Sequence, residues 1–236
     1  MARIGILTAL LPEAACLIRR PGLQTLIPLS DERSLFVSGT GAARARQGAE
    51  CLLANGAEYL LSLGTAGALA MEINAGDVIV PERVILDRDR HHDTDEAWRT
   101  VVVRGLLARG VPVHGGELLH ATEIIRNTED KRALYQNTGA VAVDMESAAV
   151  LETASAAGVP SLVVRVVVDP ADLSIPEFIL AHSDPYGRAR LGGILWSLLQ
   201  RPGQLPRLLR LARGYRAAAG RLRQLGRDPA VMKPVS

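Results

Sequence analysis

Aromatic side chains are scarce: two Phe, two Trp and four Tyr make up 3% of the 236 residues. A surface that stacks the bases of a nucleic acid needs repeated aromatic platforms, so the chain is read as having no nucleic acid partner. Cysteine is nearly absent. Cys16 and Cys51 supply neither a disulfide framework nor the spacing of a metal site, which fits a reducing compartment and a cytoplasmic protein. Long hydrophobic runs are missing as well, since no apolar stretch reaches the ~18 to 20 residues that a spanning helix needs. The opening MARIGILTALLPEAAC has an apolar run of about seven residues and reads as a first strand, not as a leader ending at Cys16.

What remains is a chain that is 48% apolar and long enough to bury one large core. Its net charge of +2 is unevenly spread: residues 187–236 hold ten Arg and one Lys against Asp228, for +10, while residues 1–186 carry −8. The composition breaks near Pro202. Residues 1–200 are therefore expected to form the main domain and residues 201–236 a basic helical extension.

Apolar, β-branched runs at Arg3 to Leu10, Leu35 to Ser38, Tyr59 to Leu63, Asp77 to Val80, Ala140 to Val143 and Ser161 to Val168 predict strands. Between them, Ala43 to Ala54, Ala97 to Arg109, Thr128 to Gln136 and Glu146 to Ala157 have helical spacing. This alternation predicts a single α/β domain with a mixed, largely parallel twisted sheet covered on both faces, with ligands at the carboxyl ends of strands. Those ends carry Glu13, the small-residue loop Gly64-Thr65-Ala66-Gly67, the pair Asp144 and Glu146, and Asp169.

Each is ambiguous alone. Ser38-Gly39-Thr40-Gly41 opens a helix as a dinucleotide turn would, but Arg44 stands at the third glycine position, which disfavours a nicotinamide oxidoreductase. The turn still offers helix N–H donors to an anion or a ribose. Asp169 lies at the end of a buried strand with few charged neighbours in sequence, a setting that raises a carboxyl and suits a general acid. Together, Glu13, Glu146 and Asp169 fit cleavage of a bond through a cationic transition state, one acid protonating the leaving group and another carboxylate activating water. His91-His92 with Asp93 and Asp95 reads as a solvated loop, and neither a metal nor an organic cofactor is expected.

The ordered series SGTG, GTAGAL, GDVIV, VDMESAAV and VVRVVVDPAD, spanning about Arg3 to Asp172, resembles the nucleoside phosphorylase and nucleosidase superfamily, which cleaves the N-glycosidic bond of nucleosides. The resemblance implies that Glu146 holds the ribose hydroxyls with Met145 against the sugar, and that Asp169 protonates N7 of a departing adenine. Thr65, Gly67, Gly41 and Ile125 would line the nucleoside. The resemblance makes Glu13 the residue that orients water, as in methylthioadenosine and adenosylhomocysteine nucleosidases. The phosphorylases' arginines are missing at Leu10-Leu11-Pro12 and Leu61-Ser62-Leu63, and Arg44 and Arg46 keep phosphate open as a co-substrate. Val168 stands where nucleosidases of the family have a serine, and Ile124-Ile125 where they have an aromatic and an aliphatic side chain.

In the tail, Leu205, Leu208, Ala212, Tyr215, Ala219 and Leu222 form an apolar stripe, and arginines cover the rest of the helix. Two readings of residues 205–227 stay open: docking on the body, or peripheral attachment to an anionic membrane at the inner face of the cell membrane. Such a tail on such a body resembles the hopanoid-associated subgroup of the superfamily, which implies a lipid-linked nucleoside, adenosylhopane, as substrate. A soluble nucleosidase or phosphorylase is the rival within this chemistry, and a non-catalytic nucleoside-binding protein the rival outside it. The family also implies a homo-oligomer.

Overall fold

The computed structural model describes residues 3–87, 89–188 and 191–233; the last three residues of the expected extension, 234–236, lie outside them. The chain runs β1 (Ile4–Thr8), α1 (Leu11–Ala14), β2 (Leu26–Ser30), β3 (Arg33–Val37), α2 (Ala42–Ala54), β4 (Tyr59–Ala68), β5 (Val78–Ile79), β6 (Arg83–Ile85), β7 (His91–Asp93) and α3 (Glu96–Leu107). It continues through β8 (Val113–His114), β9 (Glu117–His120), α4 (Thr128–Thr138), β10 (Ala142–Asp144), α5 (Ser147–Ala156), β11 (Ser161–Asp169), α6 (Glu177–Ala181), α7 (Leu191–Gln200), α8 (Leu205–Leu225) and α9 (Pro229–Met232).

The sheet is mixed and organised around β4. That strand runs parallel to β1 on one side and to β11 on the other, and its far end pairs antiparallel with β10. From β10 the sheet continues through β9 and β6 to β7, while β11 leads through β5 to β8. The β-branched run of β11 is buried along its whole length because helices cover both faces. Trp98, Val102 and Leu106 of α3 pack on one face with Leu211, Ala218 and Leu222 of α8. Ala45, Ala49 and Leu52 of α2 pack on the other with Val150 and Ala154 of α5.

Three readings of the sequence change. Gly64-Thr65-Ala66-Gly67, expected as a loop, is strand: β11 pairs with β4 as far as Gly67, and β10 pairs there too, so the backbone groups are taken up by ladders. His91–Asp93, expected as a loop, is an edge strand antiparallel to β6. Helix α8 docks on β11, but its buried stripe is Leu211, Gly214, Ala218, Leu222 and Leu225, turned by about one residue from the predicted one. The reason is Gly214: a side chain there would collide with the Val168 carbonyl, so the helix meets the strand where it lacks one.

Candidate active site

The carboxyl ends of β1, β10 and β11 bring three buried carboxylates to one edge of the sheet. Glu13, in the single turn α1 that Pro12 opens, folds back so that Oε2 accepts from the Ala9 and Leu10 N–H groups at 3.1 and 2.9 Å. Its Oε1 accepts from the N–H and hydroxyl of Thr65 at 2.8 and 2.7 Å, which ties the carboxylate to β4. Three of these donors are backbone groups fixed by the fold. The fourth, the Thr65 hydroxyl, is the one side-chain donor among them.

Glu146 occupies the N-cap position of α5, and its Oε1 accepts from the Gly41 N–H at 2.7 Å. Gly41 has φ of 97°, a left-handed value suited to glycine, and Gly39 beside it has φ of 87°. The turn thus points a donor at the carboxylate. Burial, then the charge of Asp144, push Glu146 from 4.5 up to about 7, with the Gly41 N–H and Arg165 opposing.

Asp144, also buried, is taken up by neighbouring donors. It accepts from the Ser147 N–H and hydroxyl at 3.1 and 2.5 Å, and from Arg165 Nε at 2.8 Å. The Arg165 guanidinium, 3% exposed in the middle of β11, also donates to Ser62 and Ser147 at 2.7 and 2.8 Å. Asp144 and Arg165 form a buried ion pair whose two charges both act on Glu146.

Asp169 ends β11 where the register with β4 shifts, which sets it against Gly67. A Cβ on Gly67 would stand 2.9 Å from Asp169 Oδ2, and one on Gly64 2.9 Å from Glu13 Oε1. The two glycines of β4 are therefore the seats of two carboxylates. Burial raises Asp169 above the ordinary carboxylate range, and Lys131 opposes the shift. The expectation of few charged neighbours is thus corrected. Lys131, 0% exposed on α4, donates to Asp169 Oδ2 at 2.6 Å.

Tyr215 is a second group that hydropathy concealed. Its position was counted in the apolar stripe of the tail. Although 44% of the residue is exposed, burial of the phenol and the charges of Glu13 and Asp169 push its hydroxyl up to about 12, so it stays a neutral donor near both. Across the site, Tyr186 lies against Gly39, and the Pro185 and Tyr186 carbonyls accept from Thr40 and Leu11 N–H. Met145 sits half-buried between β10 and Glu146. Ile125 packs on the cluster of Leu69, Leu119, Ala140 and Val143, while Ile124 is exposed. Arg44 bonds the Thr40 carbonyl at 3.2 Å, and Arg46 pairs with Glu152 at 2.7 Å. Among the described residues no cluster of His, Cys, Asp and Glu forms a metal site.

Residues 22–184 match the model of the phosphorylase superfamily. The 5′-methylthioadenosine/S-adenosylhomocysteine nucleosidase of Haemophilus ducreyi is 28% identical over 173 residues, covering 62% of this chain and 72% of the relative. That of Maridesulfovibrio salexigens is 28% identical over 162 residues, covering 58% and 68%. The fold is similar to the crystal structure of the corresponding nucleosidase of Helicobacter pylori with butyl-thio-DADMe-Immucillin-A (TM-score 0.66, 19% identity, 95% and 97% of the two chains). It is equally similar to futalosine hydrolase of the same species (TM-score 0.66, 20% identity, 94% and 95%).

Proposed function

Because the chain belongs to the phosphorylase superfamily, we propose that it hydrolyses the N-glycosidic bond of an adenine nucleoside. The observation that carries this reading is the convergence of Glu13, Glu146 and Asp169 at one sheet edge, two of them seated on glycines of β4. Ionised Glu146 accepts from the ribose hydroxyls, and its negative charge favours the positive character that grows on the sugar. Asp169 gives a proton to N7 as the bond from C1′ to the base breaks and its electrons move onto the base. Water beside Glu13 adds to C1′ and leaves its proton on Glu13. Water is preferred to phosphate for an electrostatic reason: Glu13 stands where the nucleophile enters, Arg165 is committed to Asp144, and a phosphate dianion would be repelled.

The finer substrate we propose is a lipid-linked adenine nucleoside, adenosylhopane, met at an anionic membrane surface. Two features support it. The +10 of residues 187–236 favours such a surface. The buried stripe of α8 is occupied by the body, but Trp196, Leu199, Leu205 and Leu209 are 64%, 69%, 43% and 48% exposed, and Arg201 and Arg207 beside them are exposed too. Aromatic and aliphatic side chains among arginines suit the interface of a bilayer. No helix among the described residues is long and apolar enough to cross one. The test compares adenine release from adenosylhopane in mixed micelles with release from methylthioadenosine. A preference of at least about tenfold in kcat/KM for the lipid is expected; a preference for methylthioadenosine would leave a nucleosidase for small nucleosides and remove the lipid reading.

A further inference from the structure

Helix α4 buries its lysine and exposes its tyrosine: Lys131 is 0% exposed, Tyr135 37%. Burying an ammonium is costly unless it is paired and hydrogen-bonded, and packing α4 on the sheet does not call for a charge. The ammonium spends all its donors in one place. It donates to Asp169 Oδ2 at 2.6 Å and to the carbonyls of Asp169, Pro170 and Leu173 at 3.3, 2.9 and 3.2 Å. Among the described residues no other residue donates a hydrogen bond to Oδ1 of Asp169.

We propose that Lys131 is a positioning residue that holds Oδ2 of Asp169, leaves Oδ1 to face the base, and carries the counter-charge when Oδ1 gives up its proton. This rests on the nucleosidase reading. In the step, the Oδ1–H bond breaks and an N7–H bond forms while the glycosidic electron pair passes to the base. The carboxylate left behind faces the Lys131 ammonium, which keeps its own protons throughout. Without that cation the developing charge would have no partner in a desolvated pocket, and Asp169 would be a weaker acid. The other titratable groups gathered there are Tyr215 from α8, a neutral phenol, with Glu13 on α1 and Glu146 before α5 across the site. Neither carboxylate can replace the lost cation.

The substrate-independent test follows the Asp169 carboxyl by NMR in protein labelled with ¹³C at aspartate, assigned by its loss in Asp169→Asn. In Lys131→Met the titration is expected at higher pH than in the parent protein; Lys131→Gln makes the same test should the methionine variant not fold. An unchanged midpoint would overturn the proposal whether or not any nucleoside is cleaved. On a cleaved nucleoside, Lys131→Met should lower kcat about tenfold or more with KM nearly unchanged, and shift the alkaline limb of kcat to higher pH. Lys131→Met added to Asp169→Asn should cost nothing further. A loss that multiplies with that of Asp169→Asn would instead make Lys131 a structural clamp on residues 169–173.

Discussion

Glu146→Gln should make the protein more stable, and only above a certain pH. In the folded chain the Glu146 carboxyl holds its proton up to about pH 7, whereas its ordinary value is 4.5. Below the ordinary value both states are protonated and the residue contributes nothing to the pH dependence. Between the two, the folded state retains a proton that the unfolded state has released, so stability falls as pH rises. Above about pH 7 the whole cost is present, about 3 kcal/mol at 1.36 kcal/mol per pH unit. Glutamine keeps an oxygen for the Gly41 N–H and carries no charge beside Asp144, so it escapes that cost. The assay is thermal or urea unfolding of both proteins at pH 4.5 and pH 9. Near-equality at the lower pH and a gain of about 3 kcal/mol at the higher are expected, or roughly 6 to 12 °C for a chain of this size. A difference independent of pH, or a loss at pH 9, would refute the argument that Glu146 is held charged against its surroundings. The same variant should bind a nucleoside poorly, so that stability and function move in opposite directions.

Gly67→Ala places a methyl group against Asp169 Oδ2; we expect kcat to fall about 10²-fold with little change in melting temperature, measured on the same preparation. Gly214→Ala puts a Cβ into the Val168 carbonyl and should cost about 1 to 3 kcal/mol in urea unfolding by pushing α8 off β11. Arg165→Met leaves Asp144 buried without its guanidinium and should cost about 3 to 5 kcal/mol, while a neutral partner at Asp144 in the double variant should recover much of it.

Much of this architecture is legible in the sequence because it depends on local periodicity. The β-branched run of Ser161 to Val168 and the helical spacing after Glu146 each state their own structure, and the ends of apolar runs point to Glu13, Glu146 and Asp169. What escapes is what depends on distant approach. Lys131 looks like any surface lysine in a polar helix, and only the packing of α4 beside the end of β11 makes it a partner of Asp169. The docked face of α8 is misjudged because hydropathy counts large side chains, whereas the contact is made by Gly214, where a missing side chain is what matters. The part Arg165 plays rests on Asp144, Ser62 and Ser147, which only the fold gathers around it. Short elements such as β7 have too few residues for any period to show.

Water as nucleophile and Asp169 as acid are both probed by adenine release from a methylthioadenosine or adenosine-lipid substrate in phosphate-free buffer, for the parent protein, Glu13→Gln and Asp169→Asn. Turnover without phosphate, a free reducing sugar as the second product, and losses on the order of 10² or more in each variant are expected. Turnover that needs phosphate and yields a sugar 1-phosphate would contradict water as nucleophile. Tight nucleoside binding without release of adenine would contradict the enzyme itself.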